Sequence, residues 1–501
     1  MKAIEIINTT LSEKLQAISQ EAEILLREGK FLEASQRLRN LEQEISDLCW
    51  QTLFNEVFSD ADFLRRLREL GARRGMRFVS YQPLTIILPS GSRGAIKSPF
   101  FVKASPKKRG RKKRGPQGRG HHLALELFGF VHQVAPNLAF EAIQLALLCP
   151  SFDVASTVLR QRGIFLSKNK LRKLSMTLGN LETPSRVEMT LEAGETLRGK
   201  RVLVLVDGGR LRSRKNKRGP IAKGKKRRGF KTDWMEPKLF AIYVLDEEGH
   251  PIKKGSPHVD GSTGDWRAMN NLLKAYLKRL KIEEAQEVIL AGDGAPWIWE
   301  RIPPMLEELG IAQEKLTEIL DWTHAKQNLL ALLDGLSQKA RKQLAMSFKQ
   351  IKALLFQGKM EELFEQVKQL SNKGAAKKFK TYFFDNQTRM QYAAFRDKRL
   401  PIGSGLIESA IRRVVNLRLK SAGSFWLLEN AEAMLFLRAQ LLYGRWEIFQ
   451  KHWSHQLTQE WNQSGEPKVI AFPQRGQKKN TKNNFDDRKS QQHGKPRKKA
   501  A

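Results

Sequence analysis

Only two cysteines, Cys49 and Cys149, occur in 501 residues, so neither a disulfide framework nor a cysteine-rich zinc module can be built. That scarcity fits a reducing cytosol. Long apolar runs are missing too. The most apolar region, residues 123–149, is broken by Glu126, His132, Pro136 and Glu141, and no stretch offers the ~20 apolar residues of a bilayer span. The opening MKAIEIINTT runs straight into an amphipathic pattern, without the apolar core and small-residue cleavage site of a signal peptide. A soluble protein with no membrane partner is expected. Acid is the third shortage: 52 Asp and Glu face 89 Lys and Arg, a formal net charge of +37. An excess of that size implies a polyanionic partner, of which a nucleic-acid backbone is the commonest, although ribosome or membrane-surface binding gives the same balance.

The chain exceeds one ordinary core and predicts two to four domains. Leu11, Leu15, Ile18, Ala22 and Leu25 follow a four-three spacing that resumes after Gly29 at Leu38, Leu41, Ile45 and Leu48. Residues 1–75 therefore read as a helical hairpin or a coiled-coil dimerisation element. Residues 76–120 read as an extended segment, clearest in FVSYQPLTIILPS, followed by a basic arm with nine Lys/Arg and no acid between Phe101 and Gly120. Such a run repels itself, and either orders on a phosphate backbone or remains a solvated linker. Residues 121–185 read as helical. Within them FDVASTVLRQRGIFLSKNKLRKLSMTLG has a helix-turn-helix shape, one helix ending near Arg162-Gly163 and the next capped by Ser167. The second helix carries Lys168, Lys170, Arg172 and Lys173, suited to a major groove, although helix pairs of this shape also serve as plain packing units.

Beyond residue 195 strands and helices alternate, the signature of an α/β fold. RVLVLVDGG, PKLFAIYVLD, EVILAGDG and EKLTEILDWTH read as strands, and DWRAMNNLLKAYLKRLKI as an amphipathic helix. Residues 195–324 form the first part of this unit, 325–400 show only helical patterning and read as an insertion, and 401–460 supply its C-terminal helices. The tail, 470–501, is basic and poor in apolar residues, so disorder is expected there.

Three acids stand in telling contexts. VLVDGGRL and ILAGDGAPWIW place Asp207 and Asp293 at the C-terminal ends of hydrophobic runs, while PIGSGLIES places Glu408 one turn into a helix that Ser404 is expected to cap. Each alone is commonly a cap, a turn former or, for Glu408 with Arg412, an i,i+4 ion pair. Together, two neighbouring parallel strands ending in carboxylates and a facing helix with a third can hold two Mg²⁺ ions roughly 3.5–4 Å apart, the geometry of in-line phosphoryl transfer. Basic residues surround them. The loop from Arg210 to Lys231 has twelve Lys/Arg and no acid, among them Arg212 and Arg214, and Arg412, Arg413, Arg418 and Lys420 follow Glu408. In DWTH, Asp321 and His324 are too few to close a zinc site; His324 reads as an active-site group or one that orients a water or Glu408, with a structural role equally open. Trp297 and Trp299 read as helix core.

VDGGRLRSR, WMEPKLFAIY, GDGAPWIW, DWTHAKQNL, NQTRMQYAAF and PIGSGLIESAIRRVVNLRLKSAGSFW, in this order, resemble the bacterial insertion-sequence transposases of the Kra type, in the Mutator-like DDE branch, over residues 120–450. The resemblance implies an RNase H-like catalytic core, a mixed sheet flanked by helices with an all-helical insertion, preceded by a mainly helical N-terminal DNA-binding region. It puts the DDE triad on Asp207, Asp293 and Glu408 as catalytic metal ligands and an Asp-or-Cys-x-x-His motif on Asp321 and His324. Trp426 falls where such enzymes carry an aromatic that stacks on an unpaired base. The implied activity is cleavage and strand transfer with two Mg²⁺ ions, for which Mn²⁺ substitutes. Its implied partners are terminal inverted repeats and target DNA, and its implied form a homodimer or higher oligomer in the bacterial cytoplasm, at the nucleoid. A catalytically silent transposase-derived DNA-binding protein and an RNase H-like nuclease are the competing readings. One departure is visible: relatives often carry Cys-rich metal-binding sequence upstream of the core, where this chain has its Lys/Arg arm.

Overall fold

The computed structural model describes residues 2–103, 120–217, 219–221, 223–224, 228–252, 257–334, 347–368, 377 and 379–463. The basic arm over 104–119 and the 470–501 tail lie outside the described residues. Helices α1 (Lys2–Arg27) and α2 (Phe31–Ser59) turn back on each other at Gly29, whose φ of +75° is a conformation that residues with a Cβ resist. Lys14 pairs with Glu44 and Arg37 with Glu21 across this hairpin. It packs on α3 (Ala61–Arg73) and on an antiparallel pair, β1 (Met76–Ile87) and β2 (Arg93–Lys103). Phe54, Phe58, Leu67, Ile86, Leu88 and Phe101 form a core of their own there.

The next three helices, α5 (Pro136–Leu148), α6 (Phe152–Gln161) and α7 (Lys168–Gly179), follow a short α4 (Leu123–Leu127) and join the main core. Ser151 and Ser167 cap α6 and α7, their hydroxyls accepting from the N–H groups of Val154 and Lys170. Leu171, Leu174 and Leu178 turn one face of α7 inward. Its Gly179 lies so close to the helix Leu428–Leu442 that a Cβ would stand 2.7 Å from that of Ala433.

A five-stranded mixed sheet organises the rest, in the order β7-β6-β3-β8-β9. Strands β3 (Arg201–Gly208), β6 (Lys238–Leu245) and β7 (His258–Ser262) are antiparallel neighbours, and β8 (Glu287–Gly292) and β9 (Leu316–Leu320) continue parallel to β3. Val202 to Val206 and Leu239 to Ile242 are buried throughout, as expected for strands covered on both faces. Helix α9 (Trp266–Arg279), capped by Asp265, packs on β6 and β7 and against α10 (Pro296–Glu308). The helix Gly405–Ala410 packs on β3 and β6, and Leu428–Leu442 on β7. Helices also fill the described residues between α11 (Trp322–Asp334) and Asp397.

Two elements differ from the sequence expectation. The basic loop after Asp207 is a β-ribbon: β4 (Leu211–Asn216) and β5 (Phe230–Met235) prolong β3 and β6 in unbroken register, with Gly208 opposite Lys238 and Leu211 opposite Met235. Leu211 and Ser213 of β4 alternate with outward arginines, but β5 is exposed along nearly all its length, so the ribbon carries little of the period-two signal of a strand. Strand β7 was not anticipated either. His258, Asp260 and Ser262 are polar yet buried, because distant residues answer them: Glu195 faces His258, Arg186 of α8 (Thr183–Glu188) donates to Asp260, and Glu432 accepts from Ser262.

Candidate metal centre and its basic surroundings

Parallel pairing of β3 with β8 brings Asp207 and the residue following β8, Asp293, to the same edge of the sheet. Each is half-buried and held by the chain just beyond it. Asp207 Oδ1 accepts from Gly208 N–H at 2.6 Å, and Asp293 Oδ1 from Ala295 N–H at 2.9 Å. Trp299, a core residue as expected, donates its indole N–H to the Asp293 carbonyl at 2.9 Å. Tyr382 closes over this turn, so a Cβ at Gly294 would meet its ring at 2.5 Å.

Glu408 is exposed on the helix Gly405–Ala410. The expected cap is absent. The Ser404 hydroxyl makes no capping bond and instead donates to Glu408 Oε1 at 2.7 Å. Asp321, at the end of β9, is buried and fully engaged: Oδ1 accepts from the His324 N–H at 2.7 Å and faces His324 Nδ1 at 3.0 Å, while Oδ2 accepts from Ser404 N–H. Its carboxylate thus fixes both the His324 ring and the turn that presents Glu408. Asp321, His324 and Glu408 each offer a ligand atom within 4.8 Å of the others. This grouping differs from the triad expected from sequence, with which it shares Glu408.

Asp207 nonetheless belongs to the same electrostatic neighbourhood. Burial pushes its pKa up to about 6, and the charges of Asp293 and Glu408 push the same way, against the Gly208 N–H and His324. His324 is raised, first by its hydrogen bond to Asp321 and then by the charges of Asp321, Asp293 and Asp207, with burial opposing. Burial would raise Asp321 as well, but the bonds from His324 and Ser404 outweigh it and its pKa is lowered. Four carboxylates, Asp207, Asp293, Asp321 and Glu408, gather at one edge with the His324 imidazole among them. Oxygen donors under mutual repulsion suit a hard divalent cation, which would relieve the strain on Asp207.

The basic residues expected to meet DNA divide into three groups. Arg210 and Arg212 project from the ribbon and stack on the exposed Trp234 ring, at 4.7 and 5.5 Å, and Arg214 lies 5.7 Å from Phe230. Lys420 lines a cleft of about 460 Å³ with Gly208, Gly209, Arg210 and Trp234. Arg412 and Arg413 are exposed, Arg413 donating to the Leu442 carbonyl. On α7, Arg172 and Lys173 are exposed, Lys168 pairs with Asp153, and Lys170 is half-buried on the His132 carbonyl, burial lowering its pKa. Arg418 and Trp426, by contrast, are inside the protein; the Trp426 ring donates to the Leu419 carbonyl and offers no face to a base. The aromatic partners Trp234, Phe230 and Phe425 were not singled out from sequence. For Trp234 and Phe230 the signal is the placing of rings on β5 across from the arginines of β4; Phe425, 5.9 Å from Arg212, lies in neither strand and has no such signal. A larger cleft, about 730 Å³, lies between α2 and the β1–β2 pair and shares no residue with the acidic edge.

No helix among the described residues is long and apolar enough to cross a membrane. No family of known proteins matches the chain, and no curated protein does. Among solved structures, a Drosophila P element transposase strand transfer complex aligns at 13% identity over 65% of this chain and 83% of that one, with a TM-score of 0.24. An overlap that slight leaves the reading of this site to its own residues.

Proposed function

We propose that the chain is a DNA transposase of an insertion sequence, of the Kra type in the Mutator-like branch, built on an RNase H-like core. The observation that carries this reading is the convergence of Asp207 and Asp293 on one edge of the sheet, with Glu408 close enough to raise the Asp207 pKa. A sheet of three antiparallel strands continued by two parallel ones, with helices on both faces, agrees with that core. The basic ribbon leaves the sheet at Asp207, which puts cations for a phosphate backbone beside the acids.

Asp207, Asp293 and Glu408 would hold two Mg²⁺ or Mn²⁺ ions, which when bound polarise the scissile phosphate and activate the attacking oxygen. Asp321 keeps the His324 ring and the Ser404 turn in place, and Ser404 holds one Glu408 oxygen in a single orientation. Arg210, Arg212 and Lys420 grip the backbone beside the cut, while Arg172 and Lys173 reach DNA from α7. The substrates are terminal inverted repeats and then target DNA, joined by a homodimer or higher oligomer in the bacterial cytoplasm. Incubating the full chain with a supercoiled donor plasmid carrying the element's ends and Mg²⁺ tests this. Wild type should nick at the ends. Asp207→Ala should lower the rate by at least about 10³-fold, about 4 kcal/mol of barrier, while end binding survives. Equal nicking by both proteins would falsify the assignment.

A further inference from the structure

A second polar feature lies past the acidic edge, where β4 meets α6, α7 and the segment 421–427. Pro150, Ser151, Phe152, Arg172, Arg214, Arg418, residues 421–427 and Asn430 enclose a pocket of about 480 Å³. No carboxylate lines it, and none of its three arginines has an acidic partner among the described residues. Arg418 is 3% exposed, lies 5.0 Å from the Phe152 ring and 5.7 Å from the Trp426 ring, and spends Nε on the Ala146 carbonyl. Its Nη2 and the Nε of Arg214 are buried without a hydrogen-bond partner. Native folds seldom leave a guanidinium donor idle, and a buried cation without a counter-charge is unfavourable until an anion approaches. Burial lowers the Arg418 pKa to about 10, which still leaves it charged at neutral pH; the adjacent Cys149 thiol is raised by burial and so brings no negative charge.

We propose that this pocket is a phosphate subsite that takes one backbone phosphodiester of DNA. Arg172 and Arg214 contact the phosphate oxygens at its rim, and Arg418 supplies positive charge beneath its floor. Guanidinium forks match phosphate oxygens in geometry as well as charge. A polymer, rather than a free anion, fits because two chain segments run from the cleft beside Asp207 to this pocket. Arg210 lines that cleft and Arg214 this pocket, four residues apart on an extended chain and so about 13 Å at ~3.3 Å per residue. On the other wall the consecutive residues Lys420 and Ser421 line the cleft and the pocket respectively, so the two places adjoin. Phosphates recurring once per ~3.4 Å of helix axis on each strand can occupy both places at once. The inference depends on DNA binding but not on catalysis at the acidic edge.

The test measures binding of the full chain to duplexes of unrelated sequence as salt is varied. Arg214→Ala and Arg172→Ala should weaken binding to all duplexes alike and each reduce the log–log salt slope by about 0.9. Arg399→Ala removes an equal charge from an ion pair with Glu248 and should leave the slope unchanged. Arg418→Met should weaken duplex binding without lowering the Tm of the free protein. Four results would overturn the inference: unchanged slopes at Arg172 and Arg214; the same fall in Arg399→Ala; a lower Tm for Arg418→Met with intact binding; or stabilisation of wild type by inorganic phosphate while Arg214→Ala binds duplex normally. Asp207→Ala keeps the wild-type slope, so failure of the transposase reading and failure of this subsite give different outcomes.

Discussion

Asp260 on β7 and Asp207 on β3 are carboxylates of one sheet, yet their surroundings treat them in opposite ways. Asp260 is fully buried and every oxygen is answered. Arg186 donates to both, at 2.8 Å to Oδ2, and Tyr276 adds a bond at 3.0 Å and the Gly261 N–H one at 2.8 Å. Arg186 passes its remaining charge to Glu432, at 2.7 Å, which in turn accepts from Thr263 N–H at 2.6 Å. Burial opposes the Arg186 charge, but Asp260 and Glu432 outweigh it and hold its pKa above the ordinary arginine value. At Asp207 the neighbours are other acids; one backbone N–H donates to it, and His324 contributes only its nearby charge. Supply of donors separates the two. An acid that the fold neutralises belongs to the architecture, and one that the fold leaves crowded is compatible with a divalent cation.

Arg186→Met should sharpen that contrast most. It strands Asp260 and Glu432 without a cation, and breaking a buried pair from one side is expected to cost about 3–5 kcal/mol, read from denaturant midpoints at constant m. Asp207→Asn should do the reverse. Because the folded pKa is raised to about 6, protonated Asp207 suits the fold, and that advantage, complete below pH 4, disappears as pH rises through 6. Metal-free Asp207→Asn should therefore match wild type near pH 4 and exceed it by ~1–2 kcal/mol at pH 7.5, after discounting for solvent screening. A destabilised variant at pH 7.5 would erase the contrast. Smallest is Ser404→Ala, which frees one Glu408 oxygen; cleavage should slow by about 1 kcal/mol of barrier, roughly fivefold, with Tm nearly unchanged.

Several parts of this arrangement are legible before any coordinates. Hydrophobic, β-branched runs ending in Asp-Gly mark β3 and β8 and place Asp207 and Asp293 at their ends, since burial on both faces demands such runs. Ser167 marks the start of α7 for an equally local reason, its hydroxyl answering Lys170 N–H. Arg418 shows where local reading fails. It looks like a surface cation, yet it falls in helical register with Ile407, Ile411 and Val414, all buried, and periodicity points it inward. Trp426 goes inside because its N–H donates to the Arg212 carbonyl and its carbonyl accepts from the Arg214 N–H of the ribbon, and nothing near residue 426 announces that partner.

The sequence by itself determined the alternation of strands and helices, the ends at which the acids sit and the basic character of the chain, because these follow from local periodicity, turn chemistry and composition. Only the tertiary structure decided which acids are neutralised and which are left facing one another, and which arginines lie beneath a surface. Those properties depend on donors brought from residues far away in the chain, as Arg186 is to Asp260, and on the dielectric that their packing creates.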